Sequence, residues 1–365
     1  MENKLSEARK IINEVDRSMA ELFARRMEAA RLVAEHKKEH GLPVLDPVRE
    51  EEVVRQNSAY LEGEPEAVRS AYVKFLRETM AISRHYQHRL MEGMRVAYSG
   101  CEGAFAHIAA ERVFPTAKKV AFANFQSAYA SVVSGDCDVA VLPIENSSAG
   151  EVGQVADLIF SGPLYVNETF DLSVKHDLLL APGAKIGDVK TVVSHPQALG
   201  QCLPYIRRNG WKETEYENTA LAAEYVARIG DKSVAAIASA EAAKIYGLEV
   251  AAEGINETAN NTTRFAVLSP SRNKAPARRG SDMRFMLMFT VRNEAGSLAK
   301  AIDIIGCYGF NMHSLRSRPM KELLWEYYFC VEAEGNIDSA DGVDMVRALS
   351  ACCDKLKIIG SYSNK

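Results

Sequence analysis

The chain has 365 residues, of which 47% are apolar and 25% are charged, and its formal net charge is −4. This length exceeds what one hydrophobic core supports, so the sequence predicts two or three domains. The slightly acidic balance excludes a general electrostatic attraction to nucleic acid, and any anion site must therefore be local.

The sequence also argues against export, membrane insertion and a bound metal. The first ten residues are charged and lack the apolar segment of a signal peptide, and no apolar run is long enough to cross a bilayer. The seven cysteines form no Cys-x-x-Cys pair and no cluster with histidine at zinc spacing. We therefore expect reduced thiols in a cytoplasmic protein without a metal site.

Changes of periodicity divide the chain into three domains. Residues 1–92 have a helical period throughout. Residues 94–270 alternate strand-like and helix-like runs, which predicts an α/β domain with a largely parallel sheet. A polar linker with two prolines then leads to residues 283–365, whose pattern is βαββαβ, a ferredoxin-like α+β module. The predicted elements of this module are strand 284–291, a helix from 297, strands 311–317 and 323–332, helix 339–353 and strand 355–361.

A cation interrupts the apolar seam of the first helix. The seam recurs every three or four residues, at Leu5, Ala8, Ile12, Val15, Met19, Leu22, Ala29 and Val33. Arg26 occupies one seam position, and Lys37 follows three helical turns later on nearly the same face. Arg9 precedes Arg26 by seventeen residues, which is about 25 Å along a helix at 1.5 Å per residue. One small ligand therefore cannot contact both Arg9 and Arg26 of a single straight helix.

A helix over roughly residues 66–90 repeats the anomaly with uncharged polar side chains. Its apolar seam runs through Leu76 and Met80 and continues into Ser83 and Gln87. Two hydrogen-bonding side chains are therefore predicted at core-facing positions.

A short helix between these two adds further polar residues. Asp46 is a predicted N-cap, Pro47 occupies the first helical position, and Arg49 and Glu50 follow. Buried arginine or glutamine can be purely structural when glutamates pair with it. Several inward polar residues on one three-helix unit favour a ligand instead, because burying an uncompensated charge costs several kcal/mol. A bound dianion would supply the compensation.

These polar positions resemble those of the all-helical chorismate mutases, whose active chains are dimers of interlocked three-helix subunits. The matching residues are Arg9, Asp16, Arg26, Lys37, Asp46, Arg49, Glu50, Ser83 and Gln87, and apart from Asp16 they are the expected chorismate-binding residues. The resemblance implies that the partner subunit supplies Arg9. It also implies that the arginines hold carboxylates, that Lys37 and Gln87 donate to the breaking ether oxygen, and that Glu50 accepts from the ring hydroxyl, with Ser83 assisting a carboxylate.

Three polar strings interrupt the apolar runs of the middle domain, each beside a strand-like run. They are residues 143–148 (Pro-Ile-Glu-Asn-Ser-Ser), 194–197 (Ser-His-Pro-Gln) and 261–265 (Asn-Thr-Thr-Arg-Phe). The first two lead into helical patterns, so free N–H groups of helix starts are expected near the strand ends, which favours an anion. The alternative for residues 194–197 is a simple helix cap with a structural histidine.

Together with the glycine turn from Gly100 to Gly103, these strings resemble prephenate dehydratases, and Thr263-Arg264-Phe265 is the most specific mark. The resemblance implies a domain of two α/β lobes, like a periplasmic binding protein, that closes on prephenate. The expected prephenate-binding residues are Asn146, Ser147, His195, Gln197, Thr219, Thr263, Arg264 and Phe265. Glu145 and Thr263 are the expected catalytic residues, with the Thr263 hydroxyl assisting the departing ring hydroxyl. Ala104 and Ala106 stand where the family usually has hydroxyl residues, so we expect the backbone to make the contacts of that loop.

The C-terminal module resembles an ACT domain, a regulatory unit that binds amino acids between paired subunits. The resemblance is carried by residues 293–298 at the first strand-to-helix turn and residues 314–319 on the second strand. It implies that L-phenylalanine binds at Gly296, Ser297, Leu298, Asn311 and Ser317. Arg316 stands where dehydratases usually have glutamate, which is expected to alter affinity or effector choice. A dimerisation module without a ligand is the alternative.

The three resemblances together predict a bifunctional enzyme of L-phenylalanine biosynthesis that converts chorismate to prephenate and prephenate to phenylpyruvate. We expect feedback inhibition by L-phenylalanine, a homo-oligomer (dimer or tetramer), and no metal or organic cofactor. One alternative is a sensor that binds an aromatic acid without turnover. Another is a monofunctional dehydratase with an inert helical dimerisation arm, which would give no reason for Arg26, Lys37 and Gln87 to lie on apolar seams.

Overall fold

The computed structural model describes residues 2–257, 260–273, 283–320 and 326–363. The chain forms two compact units, one comprising residues 1–95 with 134–138 and the other residues 96–133 with 139–365. Within the described residues, no helix combines the length and the apolar content that crossing a bilayer requires.

The first unit is helical, as the periodicity predicts. Its helices are α1 (Glu2–His40), α2 (Pro47–Ser58) and α3 (Glu66–Glu92), with a 3₁₀ turn at Ala59–Leu61. α1 ends before Gly41, whose φ of 64° is a left-handed conformation that glycine adopts without strain. α3 packs against both α1 and α2, and Ala30, Ala34 and Met80 are buried in this unit.

The N-terminal half of α1 presents its apolar seam to solvent within the single chain. Every residue from 4 to 25 is exposed, and Leu22 of the seam is 63% exposed. Exposed apolar area is unfavourable by about 25 cal/mol per Å², so this row is costly while it remains in contact with water.

The middle domain has two lobes, each built on its own sheet. The strands of the first lobe are β1 (Arg95–Ser99), β2 (Lys118–Phe122), β3 (Val139–Asn146), β4 (Gly150–Glu151), β5 (Tyr165–Ser173) and β11 (Thr262–Ser269). They follow the order β2-β1-β3-β11-β5, with β4 paired to β3. Its helices are α4 (Phe105–Val113), α5 (Phe125–Val133) and α6 (Gly153–Ser161).

The second lobe lies between β5 and β11 in the sequence. Its strands are β6 (Asp177–Leu180), β7 (Thr191–Ser194), β8 (Lys212–Glu215), β9 (Val234–Ala238) and β10 (Glu249–Ala252), in the order β10-β6-β9-β7-β8. Its helices are α7 (Pro196–Gln201), α8 (Leu203–Arg208), α9 (Thr219–Ile229) and α10 (Ala240–Tyr246), with a 3₁₀ turn at Ile186–Asp188. Asn218 caps the start of α9 by accepting a hydrogen bond from the Leu221 N–H, which fixes Thr219 as the first residue of that helix.

The prediction of a largely parallel sheet was wrong, because both sheets are mixed. β3 pairs in parallel with β1, and β7 pairs in parallel with β8 and β9. β11 instead lies antiparallel between β3 and β5, and β6 lies antiparallel between β9 and β10. In the first lobe, the antiparallel strand is β11. The chain leaves this lobe after β5, builds the second lobe, and returns to the first lobe through β11.

The C-terminal domain has the predicted βαββαβ order and forms an antiparallel sheet. Its elements are β12 (Met283–Thr290), α11 (Ser297–Cys307), β13 (Met312–Pro319), β14 (Tyr327–Glu334), α12 (Ala340–Ser350) and β15 (Lys355–Ser363). The strand order is β13-β14-β12-β15. The start predicted for the third strand, residues 323–325, lies outside the described residues.

The two faces of this C-terminal sheet have different neighbours. One face carries Phe285, Leu287 and Phe289, which form a core with α11 and α12. The opposite face packs on the middle domain, where the Tyr328 ring stacks on Phe160 with centroids 4.2 Å apart. The middle and C-terminal domains therefore belong to one compact unit.

Candidate active sites

The helical unit places one cation against polar residues of α3 without an acidic partner. The Arg26 guanidinium is half-buried and donates to the Ser83 hydroxyl and, at 3.3 Å, to the Thr79 carbonyl. Burial lowers the pKa of Arg26, and the described residues supply no carboxylate that pairs with it. Within the described part of one chain, its charge is therefore uncompensated.

Ser83 and Gln87 are buried on α3, one helical turn apart, as the seam predicts. Ser83 is 5% exposed and donates to the Thr79 carbonyl at 2.9 Å. Gln87 is 8% exposed, and its Oε1 is buried with no hydrogen-bond partner among the described residues. A buried amide oxygen without a partner is costly, and this makes Gln87 a candidate for contact with a ligand.

The four predicted polar residues from Lys37 to Glu50 have partners within the chain. Lys37 Nζ donates to the Val44 carbonyl at 2.5 Å. Asp46 caps α2 by accepting from the Arg49 N–H at 3.0 Å, as predicted. The exposed Arg49 guanidinium pairs with Glu52 at 2.6 Å, while Glu50 pairs with Arg84 of α3, a residue that the sequence reasoning missed. Arg9 lies on the exposed half of α1, so one chain does not bring it to Arg26.

A cavity of about 510 Å³ lies between the lobes of the middle domain. Six of the predicted residues line it: Asn146, His195, Gln197, Thr219, Thr263 and Phe265. The walls therefore combine β3 and β11 of the first lobe with α7 and α9 of the second. A depression of about 550 Å³ on the second lobe has Glu215, Glu217, Glu224 and Arg228 in its wall and contains none of the predicted prephenate-binding residues.

Strand alternation divides the predicted residues of β3 and β11 between two faces. Successive side chains of a strand point to opposite faces, so Thr263 and Phe265 face the cavity while Arg264 faces away from it. The register pairs Thr263 with Asn146 and Arg264 with Glu145, so Glu145 shares the outward face. Glu145 does not line the cavity in the structure, which departs from its predicted catalytic role.

The outward residues bind other protein groups. Arg264 pairs with Asp171 at 3.0 Å and lies 3.7 Å from Glu332 of the C-terminal domain. Glu145 accepts a hydrogen bond from Arg316 of the C-terminal domain at 2.7 Å. Arg264 therefore orders the protein and does not reach into the cavity.

Ser147 also differs from its predicted substrate-binding role, because its hydroxyl bonds the backbone at the start of β11. Ser147 Oγ donates to the Asn260 carbonyl at 2.9 Å and accepts from the Thr262 N–H at 3.0 Å.

His195 and Gln197 fit both interpretations of residues 194–197, a helix cap and a binding site. The His195 Nδ1 caps α7 by accepting from the Gln197 N–H at 3.2 Å, and both residues line the cavity.

The hydrogen bonds around Thr263 have a defined direction. The N–H groups of Ser148 and Ala149 donate to Asn146 Oδ1 at 3.0 and 2.9 Å, so Asn146 Nδ2 is the donor on the other side. It donates to Thr263 Oγ1 at 2.9 Å and to Asn261 Oδ1 at 2.9 Å. Because Thr263 Oγ1 already accepts a hydrogen bond, its own O–H is available to donate to a group in the cavity.

The hydrogen-bonded chain extends to a buried histidine that the sequence reasoning missed. Asn261 Nδ2 donates to Gln201 Oε1 at 2.9 Å, and His176 Nε2 lies 2.9 Å from that same oxygen. A carbonyl oxygen only accepts, so His176 carries its proton on Nε2. Burial lowers the pKa of His176, whose Nδ1 has no hydrogen-bond partner among the described residues, so the ring is neutral near pH 7. The cavity wall therefore holds a chain of amides that ends in a neutral imidazole.

The candidate effector residues lie at two ends of the C-terminal sheet. Gly296, with φ of 86°, precedes α11, and Ser297 and Leu298 open that helix. Ser317 of β13 and Phe289 of β12 pair with the same residue of β14. Ser317 therefore lies near the loop that follows β12 and carries Gly296. Asn311 precedes the opposite end of β13, about 20 Å from Ser317 at 3.3 Å per residue, so one chain does not bring these two together.

Comparison with known proteins identifies both catalytic domains. The family model of prephenate dehydratase matches residues 96–273, and that of chorismate mutase type II matches residues 8–88. A bifunctional chorismate mutase/prephenate dehydratase of Neisseria gonorrhoeae is 31% identical over 359 residues, which cover 97% of this chain and 95% of that protein.

Two solved structures share the fold of a large part of this chain. GqqA, described as a quorum-quenching acylase, has a TM-score of 0.68 and 29% identity, covering 74% of this chain and 98% of that chain. A prephenate dehydratase from Arthrobacter aurescens, solved in complex with L-Phe, has a TM-score of 0.67 and 24% identity, covering 74% of this chain and 90% of that chain. The second likeness concerns the fold alone.

Proposed function

The chain belongs to the bifunctional chorismate mutase/prephenate dehydratase family, and from this premise we propose which residues carry each reaction and how the enzyme is regulated. It rearranges chorismate to prephenate, then decarboxylates and dehydrates prephenate to phenylpyruvate, two steps of phenylalanine biosynthesis. The cytoplasm is the proposed location, in keeping with seven cysteines that are all free thiols.

The helical domain is proposed to hold chorismate between α1 and α3. The rearrangement needs no nucleophile, so the protein acts by holding the reactive chair and stabilising charge on the breaking ether bond. Arg26 would bind a carboxylate, which would compensate a half-buried charge that no described carboxylate pairs with. Lys37 Nζ and the amide Nε2 of the buried Gln87 would donate to the ether oxygen, and Glu50 would accept from the ring hydroxyl. Arg49, Ser83 and Asp46 would order this site.

A second copy of the chain is the proposed cover of the exposed half of α1. Its apolar seam lacks a partner surface within one chain. Pairing two such helices antiparallel would bury both seams and bring Arg9 of each chain to the Arg26 site of the other. This arrangement gives Arg9 a role despite its distance from Arg26.

Subunit complementation tests that arrangement. We expect Arg9→Ala and Lys37→Ala each to abolish mutase activity as pure proteins. When both variants are co-expressed with different tags, half the dimers would be mixed, and each would have one intact site. Mutase activity of about a quarter of wild type is therefore expected. No recovery in purified mixed dimers would contradict the shared site.

The dehydratase site is proposed to act through the Thr263 hydroxyl. Loss of carbon dioxide sends an electron pair into the ring, which becomes aromatic as the ring hydroxyl departs and takes up a proton. The hydrogen bond from Asn146 supports this role, because it leaves the Thr263 O–H available and stabilises negative charge that develops on Oγ1. His195, Gln197 and Thr219 would bind prephenate from the second lobe, and Gln201 joins them as a residue of the cavity wall.

The C-terminal domain is proposed to be an ACT domain that binds L-phenylalanine between paired subunits and inhibits dehydration. Its strand order and the left-handed Gly296 at the first strand-to-helix loop support this assignment. A site shared by two chains would also allow Asn311 of one chain to join Gly296 and Ser317 of the other.

Calorimetry and kinetics test the effector assignment. We expect L-phenylalanine at micromolar to millimolar concentration to release binding heat and to lower the rate of phenylpyruvate formation from prephenate. D-phenylalanine is the matched control, because a site that reads the amino and carboxyl groups of the effector distinguishes the enantiomers. Absence of both heat and inhibition with the L-enantiomer would leave the domain a dimerisation module.

A further inference from the structure

The strands that form the cavity wall also carry the C-terminal domain on their other face. Asn146 and Thr263 point into the cavity, whereas their strand neighbours Glu145 and Arg264 point to the C-terminal sheet. A displacement of this strand pair therefore changes both surfaces together.

Two arginines of β13 contact the cavity wall on the face that points away from the cavity. Arg316 donates to Glu145 at 2.7 Å and lies 4.0 Å from a carboxylate oxygen of Glu151. Arg318 pairs with the same Glu151 at 3.2 Å and with Asp157 of α6 at 3.2 Å. Because Glu151 pairs with Glu145 in register across the β3–β4 hairpin, both arginines contact a single hairpin.

The far side of this hairpin is part of the cavity. Residues 149–152 line it, and the N–H groups of Ser148 and Ala149 orient the Asn146 amide. The Asn146 amide in turn donates to Thr263 Oγ1. A short connected path therefore leads from Arg316 to the proposed catalytic hydroxyl.

The two glutamates at this junction require a cation at position 316. Glu145 and Glu151 lie together on one face of the hairpin, and without Arg316 only one of the two β13 arginines, Arg318 on the Glu151 side, would remain to offset their mutual repulsion. Their side chains are 31% and 16% exposed, so water screens this repulsion only in part.

We propose that Arg316 is a positioning residue of the dehydratase, supplied by the C-terminal domain, which fixes the β3–β4 hairpin and thereby the Asn146 amide that orients Thr263. The inference rests on the proposed dehydratase site and extends it to a residue outside the catalytic domain. It also gives the effector a route to the chemistry. Ser317 lies between the two arginines and points to the opposite face of β13, so a ligand bound there would act on the strand that holds the hairpin.

The test compares Arg316→Ala with Arg347→Ala, an arginine of the same domain whose ion pair with Asp344 is largely exposed. We expect R316A to lower kcat for prephenate dehydration about tenfold or more, with a smaller change in KM, and R316K to recover part of the loss. R347A is expected to retain wild-type kinetics. Thermal unfolding of each variant reports whether the middle and C-terminal domains are folded, because the mutase domain belongs to the other compact unit.

A double-mutant cycle with Glu145→Ala separates positioning from direct catalysis. If the pair acts as a unit, R316A/E145A is no slower than the worse single variant. Independent, multiplicative losses in R316A and E145A would overturn the proposal, as would wild-type kcat in R316A or an equal loss in R347A. A wild-type protein that forms no phenylpyruvate would refute the dehydratase assignment itself, which is a different failure.

Discussion

Thr263→Ala is expected to lower the kcat of prephenate dehydration by about 10²- to 10⁴-fold, the usual contribution of a positioned proton donor. Asn146 Nδ2 donates to Thr263 Oγ1, so the hydroxyl proton is available for the departing ring hydroxyl. Without that proton the leaving group must depart as hydroxide. Steady-state kinetics with supplied prephenate measures the effect, and the mutase rate of the same sample is expected to stay at the wild-type value.

Three further variants define the cause of that loss. Thr263→Ser keeps a hydroxyl and is expected to recover most of the rate, whereas Thr263→Val keeps the shape and is expected to be as slow as alanine. Thr262→Ala is the matched control, because alternation points the neighbouring threonine away from the cavity. Turnover within about threefold of wild type in Thr263→Val would remove the hydroxyl from the mechanism.

Arg26→Ala or Lys37→Ala is expected to abolish mutase turnover, with a loss of at least about 10²-fold for each donor removed from the site of developing charge. Arg26 is half-buried with no acidic partner in the part of the chain that the structure describes, and Lys37 lies on nearly the same helical face. Conversion of chorismate to prephenate, followed by ultraviolet absorbance, measures the loss. Dehydration of supplied prephenate is expected to continue at the wild-type rate.

Arg31→Ala is the matched control for these two variants. Arg31 belongs to the same helix, but it pairs with Glu28 and Glu35 on the helix surface, where an ion pair contributes little. We expect both of its reactions to be unchanged. An equal loss of mutase and dehydratase activity in Arg26→Ala would contradict separate active sites.

Much of the helical domain could be predicted from sequence, because a polar side chain on an apolar seam is visible in the period of the helix. Ser83 and Gln87 are buried where the seam places them, and Asp46 caps α2. The pairing of Glu50 with Arg84 was not predictable, since it depends on how α2 packs on α3.

The middle domain was predicted less completely, for two physical reasons. The position of β11 between β3 and β5 depends on pairings between distant segments, which local patterns do not encode. The outward direction of Glu145 and Arg264 follows from strand alternation, and that signal was present once Asn146 and Thr263 were assigned to the cavity. His176 was missed because it precedes the apolar run of β6 and resembles an ordinary buried histidine.

The amide chain between the lobes has a consequence for opening of the cleft. Asn146 and Thr263 belong to the first lobe, while Gln201 and His176 belong to the second, and the Asn261–Gln201 hydrogen bond joins the two groups. A hinge motion that separated Asn261 from Gln201 would cost this one hydrogen bond, about 1 kcal/mol net. The Ser148 and Ala149 N–H groups would still hold the Asn146 amide, so the donor to Thr263 keeps its orientation whether the cleft is open or closed. The acid is thus preassembled within one lobe, and the second lobe closes on it with the substrate enclosed.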